Sequence, residues 1–251
     1  MPDPVRIALL YPAVLGTYGD GGNARVLAER LRWRGLSAEV IAVDIDQPLP
    51  EQADLYVLGG GEDSAQTLAA SRLADGRLRR VAEGGATLFA VCAGFQILGE
   101  TFLDATGSAF PGLGILDCRT DRLEGPRAVG ELLVAPELPG VGLLTGYENH
   151  GGRTTLGPGA TALGTVRVGV GNGDRAVDGA VQHNVVATYL HGPALARNPA
   201  LADYLLSTVV GELQPVDDSE AEELRRERID AVTSVARLRA RRQWRPPARD
   251  R

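Results

Sequence analysis

A single cysteine stands where an apolar run gives way to small residues. Residues 86–91 are rich in strand formers, Cys92 follows them, and Ala93 and Gly94 open a segment that resembles a helix. This pattern predicts a nucleophile elbow, a sharp strand-to-helix turn that exposes the sulfur. The positive end of the helix dipole favours thiolate over thiol, and the N–H of Ala93 can point at a developing oxyanion. A buried structural cysteine is the alternative.

Two further segments can complete a site for acyl transfer. His191 follows the strand-like residues 185–190, and three glycines at 59–61 follow another strand-like run. Ligands of open α/β sheets bind outside the carboxyl ends of the strands, where these segments lie. There His191 can take the proton of the thiol and return it to a leaving amine, while the N–H of Gly60 or Gly61 completes an oxyanion hole. A structural histidine and a plain tight turn are the alternatives.

His150 is an alternative candidate for the catalytic histidine, whereas Cys118 is not an alternative to Cys92 as the nucleophile. His150 follows the strand-like residues 140–145, and a contact with substrate or a partner stays open for it. Cys118 has no elbow around it, so we expect it to be structural.

Composition excludes several classes of protein. The 251 residues are 44% hydrophobic, enough for one large domain or two small ones. A net charge of −6 and an isoelectric point near 5.2 argue against a nucleic-acid binder. Two cysteines and three scattered histidines predict neither a disulfide framework nor a zinc site. The apolar run within residues 1–16 is interpreted as a first strand rather than a signal peptide, and no run is long enough to span a membrane. We expect a reduced, cytoplasmic protein.

Alternating strand and helix patterns predict an α/β fold with a mostly parallel sheet flanked by helices and with added antiparallel strands. The glycine-rich loop at 16–23 lacks the lysine and hydroxyl residue of a P-loop. Asn198 is predicted to cap the helix at 199–211. The predicted strands are 5–11, 38–43, 55–58 and 185–190, with short antiparallel strands between 112 and 188; the predicted helices are 24–34, 65–83, 199–211 and one in the tail, 217–251. The apolar seam of the tail helix comprises Leu224, Ile229, Val232, Val235 and Leu238.

Three blocks together carry a family resemblance. Residues 58–62 (Leu-Gly-Gly-Gly-Glu), 91–96 (Val-Cys-Ala-Gly-Phe-Gln) and 189–193 (Tyr-Leu-His-Gly-Pro) resemble the signature blocks of class I, triad-type glutamine amidotransferases, in particular their cobyric-acid-synthase-like branch. Residues 18–23 and 146–150 are similar to the stand-alone GatD-type members of that branch. The resemblance spans about residues 6–211 and implies a flavodoxin-like amidotransferase domain at 1–213 with a helical tail at 214–251.

The resemblance also implies a two-subunit reaction. GatD-type chains are the glutaminase subunits of lipid II isoglutaminyl synthase and work beside MurT, a Mur-ligase-like partner, in a heterodimer. Glutamine is hydrolysed through a γ-glutamyl thioester on Cys92, and the ammonia amidates D-glutamate in the stem peptide of membrane-bound lipid II. No cofactor is expected in this chain, because ATP and magnesium belong to the ligase. By analogy Arg127 holds glutamine, since a guanidinium fork suits a carboxylate. The remaining residues placed around the substrate are Gly60, Gly61, Ala93 and Gln96.

One departure from the family pattern affects the mechanism. Class I members have a glutamate two residues after the histidine, and Pro193 occupies that position here. We therefore expect no local residue to orient the imidazole. In the GatD-type branch the carboxylate is thought to come from the partner, so the isolated chain is predicted to be a weak glutaminase.

Three other functions compete with this one. A glutaminase for cobyrinic acid amidation is the nearest, although such enzymes carry an ATP-binding domain in the same chain and no room for one precedes residue 6. A non-catalytic, ligase-stabilising subunit has no need of the thiol. An α/β-hydrolase is disfavoured because no Gly-x-Ser-x-Gly elbow precedes His191.

Overall fold

The computed structural model describes residues 3–243 and contains three sheets. The strands are β1 (Val5–Leu10), β2 (Ala38–Val43), β3 (Leu55–Leu58), β4 (Thr87–Val91), β5 (Thr101–Leu103), β6 (Ala109–Pro111), β7 (Cys118–Arg122), β8 (Ala128–Pro136), β9 (Leu144–His150), β10 (Gly152–Leu156), β11 (Gly164–Val168), β12 (Val177–Asp178), β13 (Ala180–Gln182) and β14 (Val185–Thr188). The helices are α1 (Gly22–Arg32), α2 (Asp63–Leu73), α3 (Arg77–Glu83), α4 (Ala93–Leu98), α5 (Ala194–Arg197), α6 (Pro199–Val210) and α7 (Ser219–Gln243).

The central sheet has six strands in the order β13-β14-β4-β3-β1-β2. All neighbours are parallel except β13, which runs antiparallel to β14 at one edge. Every residue of β3, β4 and β14 is buried, which explains their continuous apolar sequences. The α/β fold with a mostly parallel sheet and added antiparallel strands is confirmed.

The register of these strands brings three strand ends together. Leu58 of β3 pairs with Ala90 of β4, and Val91 of β4 pairs with Thr188 of β14. The residues that follow are the glycines at 59–61, Cys92 and the segment leading to His191. All three segments therefore leave the same edge of the sheet.

Two four-stranded sheets, β10-β7-β5-β6 and β12-β11-β8-β9, are largely antiparallel. The second is linked to the central sheet beyond β14, where His191 and Tyr147 of β9 exchange backbone hydrogen bonds of 2.7 and 3.2 Å. The antiparallel strands predicted between residues 112 and 188 are thus confirmed, and they wall in one side of the strand ends.

Three local predictions were wrong. The helix predicted at 65–83 is two helices, α2 and α3, because the chain turns at Gly76 with a positive φ of 80°. The segment 140–145 is mostly loop, and β9 starts only at Leu144 and includes His150. Asn198 does precede α6, but its side chain makes no capping bond, since it binds both backbone groups of Thr145.

The tail forms α7, which contacts β9 and β11 of its own chain. Of the predicted seam, Val232 is buried and Ile229 half-buried, whereas Leu224, Val235 and Leu238 are exposed. Part of the seam therefore packs on this domain, and packing of the rest on a partner stays a prediction. The tail residues 244–251 lie outside the described residues, and the boundary at 213/214 stays a prediction. Within residues 3–243, no helix has the length and apolar character needed to cross a bilayer.

Candidate active site

Cys92 lies in the predicted elbow. It caps the N-terminus of α4 directly after β4, with the unusual backbone angles φ 52° and ψ −105°, and its N–H donates to the carbonyl of Thr188 at 2.9 Å. A side chain on Gly94 would lie 2.7 Å from Cβ of Leu58, so only glycine lets α4 approach β3 this closely. The strand–turn–helix predicted around Cys92 is confirmed. Its strained backbone is a feature that clusters at functional sites.

His191 is held by a carboxylate of the same chain. Its Nδ1 lies 2.8 Å from Oδ2 of Asp20, and both side chains are buried, with 1% and 0% exposed. Asp20 lies between β1 and α1, and its Oδ2 also accepts the N–H of Gly60 at 2.8 Å. No residue close to His191 in the sequence orients the imidazole, as expected, but Asp20 supplies from this same chain the carboxylate that was expected from a partner.

Electrostatics in this cluster favour an imidazolium. Burial lowers the pKa of His191, but the hydrogen bond to Asp20 and the neighbouring Cys92 sulfur outweigh burial and raise the pKa to about 10. Nε2 of His191 is buried and has no hydrogen-bond partner among the described residues. At neutral pH the imidazole holds a proton, and its Nε2 is free to pass that proton to a bound substrate.

Sequence reasoning missed Asp20 because it searched for a carboxylate close to the histidine in the chain. Asp20 precedes His191 by a large sequence separation, and neither the comparison of its loop with a phosphate cradle nor the resemblance of residues 18–23 to GatD-type members assigns it a role. One signal was available: the loop follows β1, and side chains beyond the carboxyl ends of parallel strands converge. This position makes Asp20 a candidate for the carboxylate that orients the histidine.

The two glycines predicted as oxyanion donors, Gly60 and Gly61, behave differently. The N–H of Gly60 is occupied by Asp20, so Gly60 does not serve as the free donor. The amides of Gly61 and Ala93 have no acceptor among the described residues, and both residues line the cleft next to Cys92. These two N–H groups are the ones available for an oxyanion.

A cleft of about 260 Å³ opens above Cys92. Arg127 borders it and is anchored by its Nη2, which donates to the carbonyl of Asn149 at 3.0 Å, and by its Nε, which donates to Oδ1 of the same residue. The Asn149 amide in turn binds the hydroxyl of Tyr18. Within the described chain no carboxylate lies within 4 Å of the Arg127 guanidinium. The charge of Arg127 at the cleft is therefore not paired with a carboxylate of the described residues.

A buried hydrogen-bonded chain lies along one side of this cleft. Nε2 of Gln96 donates to the hydroxyl of Tyr189 at 3.1 Å, and its Oε1 accepts from Gln66 at 2.9 Å. The Tyr189 hydroxyl also shares a hydrogen with Thr154 at 2.7 Å. Gln96 borders the cleft as predicted, but both ends of its amide are engaged by other side chains, so it shapes the cleft wall.

The competing histidine lines the same cleft. His150 stacks on Tyr189 with ring centroids 3.7 Å apart, its Nδ1 lies 3.0 Å from the carbonyl of Gly152, and its Nε2 lies 3.5 Å from Glu148. Cys118 is 1% exposed, and burial raises the pKa of its thiol to about 12. Cys118 thus stays an unreactive thiol.

No cluster of three His, Cys, Asp or Glu side chains suited to a metal ion occurs in the part of the chain that the structure describes. The chemistry available from the observed groups is nucleophilic acyl transfer by a thiol. A buried base, a carboxylate behind the base and two amide donors stand around this thiol.

Comparison with known proteins identifies the family. Residues 6–199 match the CobB/CobQ-like glutamine amidotransferase domain. The chain is 35% identical over 196 residues to the lipid II isoglutaminyl synthase (glutamine-hydrolyzing) subunit GatD of Staphylococcus aureus strain N315, an alignment covering 76% of this chain and 79% of the relative. It is 32% identical over 213 residues to the subunit of the same name from Streptococcus pneumoniae strain R6, covering 83% and 82% of the two chains.

A solved structure agrees with this assignment at the level of the fold. A crystal structure described as a glutamine amidotransferase superposes with a TM-score of 0.56 at 22% identity, covering 81% of this chain and 98% of that one. The fold, the length of the family match and the extent of the two alignments agree. The chain therefore belongs to the CobB/CobQ-like glutamine amidotransferase family.

Proposed function

We propose that this glutamine amidotransferase is a glutaminase subunit that hydrolyses L-glutamine at Cys92. The observation that carries the proposal is the buried alignment of Asp20 with His191 beside the elbow that presents Cys92. Such an alignment is the arrangement of nucleophile, base and orienting carboxylate used in acyl transfer, in which the three groups are recognised by geometry rather than by their order in the chain.

In the first half-reaction the thiolate attacks the side-chain carboxamide carbon of glutamine. A carbon–sulfur bond forms while the carbonyl oxygen takes the negative charge, and the N–H groups of Gly61 and Ala93 stabilise it. As the tetrahedral intermediate collapses, the imidazolium of His191 protonates the leaving nitrogen and ammonia departs. Arg127 binds the α-carboxylate and sets the position of the carboxamide.

In the second half-reaction water cleaves the γ-glutamyl thioester. His191, now neutral, accepts a proton from the water as it attacks, and the thiolate leaves. The products are glutamate and ammonia, and the enzyme returns to its starting state. Asp20 holds Nδ1 throughout, so that Nε2 faces the reacting atoms in both half-reactions.

The ammonia is proposed to serve a second subunit. Both GatD relatives are named as subunits of lipid II isoglutaminyl synthase. Their similarity over three quarters or more of this chain supports a heterodimer with a MurT-like Mur ligase that amidates D-glutamate of lipid II. We place ATP and magnesium on that partner, and the complex in the cytoplasm. Cobyrinic acid amidation remains the alternative, and the family description, which names CobB and CobQ, supports it.

Glutamate release from glutamine tests the proposal. It is measured with the chain alone and with the chain co-expressed with a Mur-ligase-like partner, and in both settings with Cys92→Ser. We expect release by the chain alone that Cys92→Ser abolishes, and amidated lipid II only with the partner. Cys118→Ser is the matched control and retains activity. Absence of thiol-dependent release in every arm would contradict the glutaminase and leave a ligase-stabilising subunit.

A further inference from the structure

One buried carboxylate has no place in the chemistry described above. Asp178 ends β12 and is 0% exposed. Its Oδ2 accepts the hydroxyl hydrogen of Thr188 at 2.6 Å, and its Oδ1 accepts the N–H of Tyr189 at 3.3 Å. Both donors lie at the end of β14, on the segment that leads to His191.

This segment leaves the central sheet abruptly. The ladder between β14 and β4 ends at Thr188, and three residues later His191 pairs with Tyr147 of a different sheet. The intervening amides have therefore lost their ladder partners in a buried environment, where an unsatisfied N–H is costly. Asp178 accepts the N–H of Tyr189, and the hydroxyl oxygen of Thr188 accepts the N–H of Leu190 at 3.0 Å.

Thr188 also touches the nucleophile. Its carbonyl accepts the N–H of Cys92 at 2.9 Å, while its hydroxyl is held by Asp178. One residue thus joins the backbone of the nucleophile to the turn that carries the base. The distance between the Cys92 sulfur and Nε2 of His191 depends on how firmly this residue is held.

We infer that Asp178 is a positioning residue: through Thr188 it fixes the turn at 188–190 and thereby aims His191 at Cys92. Asp178 does not contact the cleft residues that bind substrate. Its removal is expected to change the chemical step and not the binding of glutamine. This inference rests on the proposed glutaminase function, because it assigns a role within the same site.

The test uses Asp178→Asn and Thr188→Val in the full chain. Asn keeps the shape but replaces one acceptor with a donor, and Val removes the bridging hydroxyl. We expect kcat for glutamate release to fall about 10- to 100-fold with KM nearly unchanged, since small misplacements of reacting groups have effects of this order. The double variant is expected to be no slower than the slower single variant, because both changes break one connection.

Two controls accompany these variants. Thr188→Ser retains the hydroxyl and is expected to keep most of the activity. Asp174→Asn alters a carboxylate of the preceding turn, which accepts the N–H of Ala176 at 2.9 Å and makes no bond to β14. This control is expected to behave like the wild type.

A second readout distinguishes positioning from a purely structural role. The rate at which iodoacetamide alkylates Cys92, followed by mass spectrometry across pH, reports how well the imidazole is placed beside the sulfur. We expect Asp178→Asn to be alkylated more slowly than the wild type across this profile. A lower melting temperature with unchanged kcat and an unchanged alkylation profile would overturn the inference.

Failure of the proposed function looks different. If the wild type releases no glutamate, the glutaminase proposal fails. The alkylation profiles of wild type and Asp178→Asn still decide whether Asp178 positions His191.

Discussion

Gly60 and His191 approach each other so closely that a methyl group on Gly60 would lie 2.6 Å from Cε1 of the imidazole. The same methyl group would lie 3.2 Å from Oδ2 of Asp20 and 3.4 Å from Cβ of Cys92. The missing side chain at this position is what lets base, carboxylate and nucleophile occupy one small volume. The N–H of the glycine completes the arrangement by binding the carboxylate.

Gly60→Ala is therefore expected to displace His191. We expect a displacement of about 1 Å to lower kcat about 100-fold, because catalytic groups misplaced by that distance lose about that much rate. Steady-state glutamate release measures the effect. Gly21→Ala is the matched control, since a methyl group there meets only Leu9 at an ordinary 3.5 Å. Equal activity of the two variants would show that the imidazole tolerates the crowding.

Asp20→Asn is expected to reduce kcat/KM by roughly 10² to 10⁴, as loss of the orienting carboxylate does in other triads. It also moves the pH profile. Against the opposing effect of burial, Asp20 and Cys92 together raise the pKa of His191 to about 10. Without the carboxylate the imidazolium loses its proton at lower pH, so the alkaline limb of the kcat–pH profile moves to lower pH.

The partner subunit supplies the decisive comparison for Asp20. If the carboxylate of this chain completes the triad, adding a Mur-ligase-like subunit leaves the Asp20→Asn defect in place. Restoration of activity by the partner would mean that the partner contributes the carboxylate, as the sequence had suggested. Asp63→Asn, a second carboxylate at the cleft, checks that loss of a nearby charge alone is not the cause.

Arg127→Lys tests substrate binding. Lysine keeps the charge but lacks the fork that binds both carboxylate oxygens and Asn149 at once. We expect KM for glutamine to rise about tenfold or more with a smaller change in kcat, which corresponds to about 1.4 kcal/mol of binding free energy. Arg167→Lys is the control, because Arg167 is the exposed residue of β11. A fall in kcat alone, with KM unchanged, would place Arg127 in the chemical step instead.

Arg30→Met tests how the tail is attached. Arg30 is 2% exposed and binds Asp203 of α6 and Asp218 just before α7 at 2.6 to 2.7 Å. Its loss leaves Asp218 without its cation and Asp203 with Arg34 alone, which we expect to lower the free energy of unfolding in urea by about 3 kcal/mol. Arg72→Met breaks an exposed pair with Asp46 and is expected to cost less than about 1 kcal/mol. Similar losses of unfolding free energy in both variants would contradict the role of Arg30 in attaching the tail.

The titration of Asp178 makes a prediction about stability. Burial, with a contribution from Glu148, raises the pKa of Asp178 to about 7, from a value near 4 in an unfolded chain. The folded state therefore binds this proton more tightly, and the free energy of unfolding contributed by Asp178 falls as pH rises from about 4 to about 7. Asp178→Asn is expected to remove this part of the pH dependence in urea titrations. An identical slope in both proteins would refute it.

The sequence predicted well what depends on local pattern. Continuous apolar runs revealed β1, β3 and β4, and the run ending at Cys92 revealed the elbow, because a buried parallel strand and a tight turn leave marks in neighbouring residues. The helix at 65–83 failed at Gly76, since one glycine in a helical pattern does not by itself predict a break.

The prediction of the carboxylate that orients His191 failed for a different reason. Asp20 and His191 meet only through the order of strands in the central sheet, and no spacing along the chain encodes that order. The engagement of the Gly60 amide by Asp20 was hidden in the same way, because it depends on two loops that follow different strands. Such contacts follow from topology, which one sequence specifies only indirectly.

Pro193 stands where related enzymes have their glutamate, and it contributes to packing instead: a methyl group on Gly22, at the start of α1, would lie 2.5 Å from its ring. In this chain the carboxylate beside the imidazole comes from the loop after β1, and the position two residues after His191 serves packing. A database filter that demands His-x-Glu would discard this chain as a degenerate enzyme. A filter that asks for any acidic oxygen within reach of the imidazole would retain it, and it would also recover other chains in which the acid has moved to a different loop.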